Sequence, residues 1–182
     1  TSIHDESKYD EKDITVTYRD SVLYNLESQT AFNNSNYIDT GVQLLNEDID
    51  YTIYVRGVVN AYESQDTIFH CMRESSPWPG VSFDCVSGSK LRVVYMTNKT
   101  INLNYIYGNE FELKLTHVAG SSVLSYSFTT NGNTTSGKKM DYTFTEVTQN
   151  LLIGAYQTTE GVTGRHLNGT ISEFYIKNYI EE

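Results

Sequence analysis

The chain has 182 residues and a formal net charge of −10, with 13 Lys and Arg against 23 Asp and Glu. That length suits one domain whose core needs no metal or disulfide staple. The acidic balance excludes a nucleic-acid partner, which would demand clustered basic residues to displace counterions. Fifteen tyrosines and only two prolines favour a pleated β architecture, and no apolar run reaches the roughly 18–20 residues needed to cross a bilayer, so membrane insertion is not expected.

Residues 1–13, "TSIHDESKYDEKD", are polar, acid-rich and aperiodic, and they read as a linker or frayed terminus without the apolar stretch of a signal peptide. The expectation is a soluble chain, whole or excised from a longer protein. Its single domain begins near Ile14 and fills residues 14–182. In "YTIYVRGV" (51–58), Tyr51, Ile53 and Val55 share one face, the alternation of a half-buried strand. "TIFHCM" (67–72) and "VSFDCV" (81–86) read as the arms of a hairpin, with Phe69 and Cys71 on one face and Phe83 and Cys85 on the matching one. Cys71 and Cys85 are then core residues, either as two buried free thiols or as a cross-strand disulfide. Between the arms lies "RESSPWPG" (73–80), where the prolines leave residues 76–80 as a stiff surface loop. Trp78 on that loop is either a plug folded back on the domain or a platform held ready for a partner.

Further along, "VSGSKL" (86–91) is a turn, and Phe111, Leu113 and Leu115 in "EFELKLTHV" (110–118) share a face. Leu124, Tyr126 and Phe128 do the same in "SVLSYSF" (122–128), before the hairpin turn signalled by Asn131-Gly132. No long helix is supported. The fold class is all-β, a two-sheet antiparallel sandwich.

Three stretches, "NSNYIDTGVQLLNEDIDYTIYVRGVV" (34–59), "DTIFHCM…GVSFDCVSGSKLRVVY" (66–95) and "LLIGAYQTTEGVTGRHLNGTISEFYIKNYI" (151–180), resemble the concanavalin A-like, laminin-G-like jelly rolls. Gly169 and Ile171 fall where that superfamily enters its final strand. The resemblance implies a jelly-roll sandwich and, in its short degenerate forms, carbohydrate-binding modules of phage tails and baseplates or of bacterial surface proteins. Because the superfamily includes calcium-dependent lectins, it also raises Ca²⁺ as a ligand of "NEDID" (46–50), which otherwise reads as a solvated turn.

Catalytic chemistry finds little support. The E-x-D-x-x-E pattern of glycoside hydrolases on this fold is absent, no Ser sits in a G-x-S-x-G elbow, and His4, His70, His117 and His166 lack zinc-ligand spacing. A saccharide site needs instead an aromatic ring for the C–H face of a sugar and forked polar groups for its hydroxyls. His70 and Asp84 alternate away from the core and would project from the opposite face. Arg165 and His166 lie in the loop "QTTEGVTGRH", which Tyr156 opens, while Arg92 and Tyr95 come from the middle strands. With Trp78, these residues are the expected ligand contacts. The expected function is non-catalytic recognition of cell-wall or cell-surface glycans by a phage tail or baseplate protein of the virion. Its partners would be those glycans and neighbouring domains of the parent assembly. The alternative is a protein-binding adhesion or structural module, extracellular or on a bacterial surface, and a divergent glycan hydrolase is the third reading.

Overall fold

The alternating segments become strands where their apolar side can be covered. The computed structural model describes residues 20–43, 48–73, 78–95, 99–142, 147–158, 160–161 and 163–181. The expected linker 1–13 and the start at Ile14 lie outside them.

In chain order the strands are β1 (Val22–Asn25), β2 (Thr30–Asn33), β3 (Ile38–Asp39), β4 (Tyr51–Val59) and β5 (Thr67–Met72). Next come β6 (Gly80–Val86), β7 (Lys90–Val94), β8 (Thr100–Asn104), β9 (Glu110–His117) and β10 (Leu124–Thr130). The chain closes with β11 (Asn133–Lys139), β12 (Leu152–Ile153), β13 (Tyr156–Gln157), β14 (Thr163–Gly164) and β15 (Asn168–Lys177). A seven-stranded sheet runs β1-β15-β4-β9-β10-β11, with β2 also on β15, and a six-stranded sheet runs β3-β12-β5-β6-β7-β8. All pairings are antiparallel, and the described residues contain no helix. The short ribbon β13-β14 forms a third, separate pair. The last strand, β15, pairs with both β1 and β4, so the first and last described strands lie side by side.

The inner faces carry the residues that the period-two pattern selects. Tyr51, Ile53, Val55, Phe111, Leu113 and Leu115 from one sheet are fully buried against Phe69, Cys71, Phe83, Cys85, Leu91 and Val93 from the other. Phe83 packs on Phe69 at 5.8 Å and edge-on to Phe111 at 5.6 Å, and Phe69 in turn meets Phe174 at 5.9 Å. This aromatic chain bridges the sheets, and truncating any member to alanine would cost about 3–5 kcal/mol.

The β5-β6 register decides the cysteine question. Phe69 pairs with Phe83 and Cys71 with Val81, so Cys71 and Cys85 lie four residues apart along the hairpin, about 13 Å. Both are buried free thiols, far beyond disulfide reach, and burial pushes the Cys85 thiol up to about 12. The Asn131-Gly132 turn forms as expected, with φ of 51° and 71°, the paired positive values of the turn that matches strand twist.

Candidate functional site

The outer face of the six-stranded sheet carries an ordered polar row. Asp84 on β6 pairs with Arg92 on β7, which pairs with Asn102 on β8. The neighbouring row runs from Leu152 through His70 and Ser82 to Val94. The β13-β14 ribbon folds over this face. The Thr67 N–H donates to the Arg165 carbonyl at 2.9 Å, the Gln157 N–H donates to His70 Nδ1 at 3.4 Å, and the Tyr156 ring stands edge-on to His70 at 5.9 Å. Arg165 lies over the face of Tyr156, its guanidinium carbon 4.4 Å from the ring centroid, a cation–π contact. The fold thus brings together Asp84, Arg92, Tyr156 and Arg165, with His70 beneath them.

Asp84 and Arg92 form a forked ion pair, Nε to Oδ1 at 2.9 Å and Nη2 to Oδ2 at 2.6 Å. Burial raises the Asp84 carboxyl, and Arg92, Arg165 and His70 pull it back down. The balance leaves Asp84 above its ordinary value, and the hydrogen bond to Asp84 raises Arg92 in turn. Arg165 differs. It is exposed, makes no ion pair among the described residues, and holds a left-handed backbone with φ of 47°, a conformation that costs a residue with a Cβ about 1–3 kcal/mol. In a chain of net charge −10, this is an exposed cation placed on an aromatic ring. Such a group can fork onto a carboxylate or a pair of hydroxyls.

The other four expected residues are placed differently. His70 is on the outer side of the sheet, but at 2% exposure under Tyr156 it supports the ribbon and does not face solvent. Tyr95 is 4% exposed and belongs to the core between the sheets, because Leu91, Val93 and Tyr95 share the inner face. Trp78, 39% exposed with φ of 51°, follows the other end of β5-β6, where the Arg73 N–H donates to the Pro79 carbonyl at 3.0 Å. It stands apart from the Asp84 cluster, while Ser76 and Pro77 lie outside the described residues. His166 turns its ring toward Tyr37 at 6.1 Å, not toward Tyr156. The sequence reading missed Asn102 and Gln157. Asn102 was accessible to it, since Ile101 and Leu103 on either side point inward, but Gln157 required the ribbon's position.

The calcium expectation on "NEDID" meets occupied oxygens. Asp48 accepts from His117 Nε2 at 3.1 Å and the Gly120 N–H at 2.9 Å, and Asp50 accepts from the Ala119 N–H at 2.8 Å. Asp48 and Asp50 tie the turn to the β9-β10 loop, while Asn46 and Glu47 lie outside the described residues. No group of three His, Cys, Asp or Glu among the described residues is arranged around a common ion.

Asp66 underlies the site and is strained electrostatically. It is 5% exposed, its Oδ2 has no hydrogen-bond partner, and burial with the Glu63 charge raises its carboxyl to about 6. Its backbone carbonyl accepts from the Cys85 N–H at 2.9 Å, and the next residue, Thr67, holds Arg165. Since the folded value exceeds the unfolded one, the folded state retains this proton as the pH climbs from about 4 to 6. The contribution to stability is therefore complete below about 4 and lost as the pH rises through about 6. Asp66→Asn is expected to flatten that part of the stability profile and to stabilise the fold by about 1 kcal/mol at pH 7. Urea titrations at pH 4, 5, 6 and 7 check it, and an unchanged profile would refute the assignment.

No protein-family model and no curated protein matches the chain. Solved structures do match by shape. The CBM40 module of a Ruminococcus gnavus IT-sialidase, bound to α2,3-sialyllactose, superposes with a TM-score of 0.67 at 9% identity over 89% of this chain and 95% of its own. Peanut lectin with a nine-residue peptide gives 0.54 at 10% identity, covering 90% and 99%. NanB with optactamide gives 0.63 at 16% identity over 89% of this chain, which spans only 27% of NanB. At these identities the likeness is one of fold, and the fold is the antiparallel jelly-roll sandwich shared by lectins and carbohydrate-binding modules.

Proposed function

We propose that this chain is a non-catalytic carbohydrate-binding module that recognises host cell-wall or cell-surface saccharides through Arg165, Tyr156, Arg92 and Asp84. The observation that carries the reading is Arg165, an outward-facing cation seated on an aromatic ring above a fixed Asp84-Arg92 pair. The ring offers a sugar its apolar face, and the fork offers donors to hydroxyls or to the carboxylate of an acidic sugar. Binding of sialyllactose by a module of the same fold supports acidic glycans as the first class to test. We place the module in a phage tail or baseplate protein, where many copies would convert weak single contacts into tight attachment. Attachment to a bacterial surface would use the same chemistry. Exposed Trp78, remote from this cluster, supports a second contact of the module with a protein of its parent assembly.

Equilibrium binding of the domain to sialyllactoses, uronic-acid glycans and bacterial cell-wall polysaccharides, with and without EDTA, tests the reading. Saturable, EDTA-insensitive binding that weakens with added salt is expected for an acidic ligand met by Arg165. If no glycan binds while Trp78→Ala disrupts capture of a tail or surface protein, the module is a protein-contact domain.

A further inference from the structure

A second recess lies between the sheets at the open side of the sandwich, away from Arg165. It measures about 400 Å³ and is lined by Ser89, Asn104, Ile106, Phe128, Asn131 and Thr135, among others. Its origin is legible in β11, "NTTSGKK", a strand without a large apolar residue that nonetheless pairs with β10 from Leu124↔Lys139 to Thr130↔Asn133. Phe128 points into the core, so its cross-strand partner Thr135, and Asn133 beside Thr130, point to the same side. A sandwich would place Val or Leu there if another strand covered them. Both residues are exposed instead, and β11 overhangs β8, the last strand of the six-stranded sheet.

The result is a cleft with an apolar floor and an uncharged polar rim. Phe128 is buried, and Ile106 is 61% exposed beside it. The exposed Asn131 amide and the hydroxyls of Ser89 and Thr135 are engaged by no hydrogen bond among the described residues, whereas Asn104 lends only backbone, its side chain sharing the outer face with Asn102. Ser89 and Asn131 sit in tight turns with φ of 55° and 51°, so the rim is fixed before anything binds, which lowers the ordering cost of association. No lining residue is charged. Amides and hydroxyls set around an exposed aliphatic surface, without charge, match the alternating C–H and O–H surface of an uncharged sugar.

We propose that this cleft is a second binding site, selective for a neutral saccharide unit. It is independent of the Arg165 cluster in position and in chemistry, and with it would make the module bivalent.

The test is amide-resolved NMR titration of the folded chain with methyl glucoside, methyl galactoside, methyl mannoside and N-acetylglucosamine, with cyclohexanol, a six-membered ring bearing a single hydroxyl, as the control for mainly apolar contact. At least one sugar is expected to shift Asn104, Ile106, Asn131 and Gly132 saturably. Thr135→Ala and Ile106→Ala, both at exposed positions, should each weaken that response about tenfold, and Arg165→Ala should leave it unchanged. The proposal is overturned if no sugar shifts these amides, if cyclohexanol does so as well as the sugars, or if Arg165→Ala abolishes the response. Failure of the acidic-glycan reading would register at Tyr156 and Arg165 instead, so the two are separable.

Discussion

Gly169→Ala is expected to destabilise the fold by about 3 kcal/mol, lowering the midpoint of thermal unfolding by about 6–12 °C. Gly169 is the second residue of β15 and pairs with Val59 on β4. A Cβ there would sit 2.2 Å from the Val58 carbonyl oxygen and 3.2 Å from the Val59 Cα, and both obstacles are backbone in a central strand. Across the same pair, a Cβ on Gly57 would meet the Thr170 carbonyl oxygen at 2.4 Å. The two glycines let β4 and β15 approach closely just ahead of the bulge between Ile171 and Glu173. Separating them would strain the strand that closes the seven-stranded sheet. Thr170→Ala, a half-exposed neighbour, should change stability by less than about 0.5 kcal/mol. Differential scanning calorimetry of the two variants decides the matter, and a Gly169→Ala midpoint within about 2 °C of the parent would show that the strands separate at little cost.

The second large effect concerns binding. Arg165→Ala should weaken glycan binding about ten- to hundredfold, the worth of charge-assisted hydrogen bonds, while leaving the unfolding midpoint nearly unchanged. Its side chain is exposed and lies on the Tyr156 ring, and its structural contribution, the carbonyl that accepts from Thr67, survives the substitution. Arg92→Ala should behave differently. Removing it leaves the Asp84 carboxylate buried without its cation, at about 3–5 kcal/mol, so stability and binding fall together. Arg165→Lys keeps the charge but loses the planar fork, and should recover only part of the affinity. Isothermal titration beside thermal melts separates these cases. Full affinity in Arg165→Ala would remove the cluster from the glycan site.

The expected hairpin arms 67–72 and 81–86 coincide almost residue for residue with β5 and β6, because a strand buried on its inner face must keep strict alternation or expose its core residues. The same rule located Phe111, Leu113 and Leu115, and the Asn131-Gly132 turn followed from its need for positive φ. The amino-acid order by itself therefore determined the strands, their inward faces and the sandwich class, all of which depend on neighbours one or two residues away. Tertiary structure decided the rest. The inward turn of Tyr95 and the outward turn of Arg92 were set by the pairing of β6 with β7, which aligns Phe83 with Val93 and Asp84 with Arg92. The two cysteines were kept apart by the hairpin register, and Asp84, Arg92, Tyr156 and Arg165 were gathered only when the β13-β14 ribbon folded across β5. Those contacts join residues up to 98 positions apart, from Thr67 to Arg165, and no local periodicity encodes a meeting set by how one segment crosses a sheet.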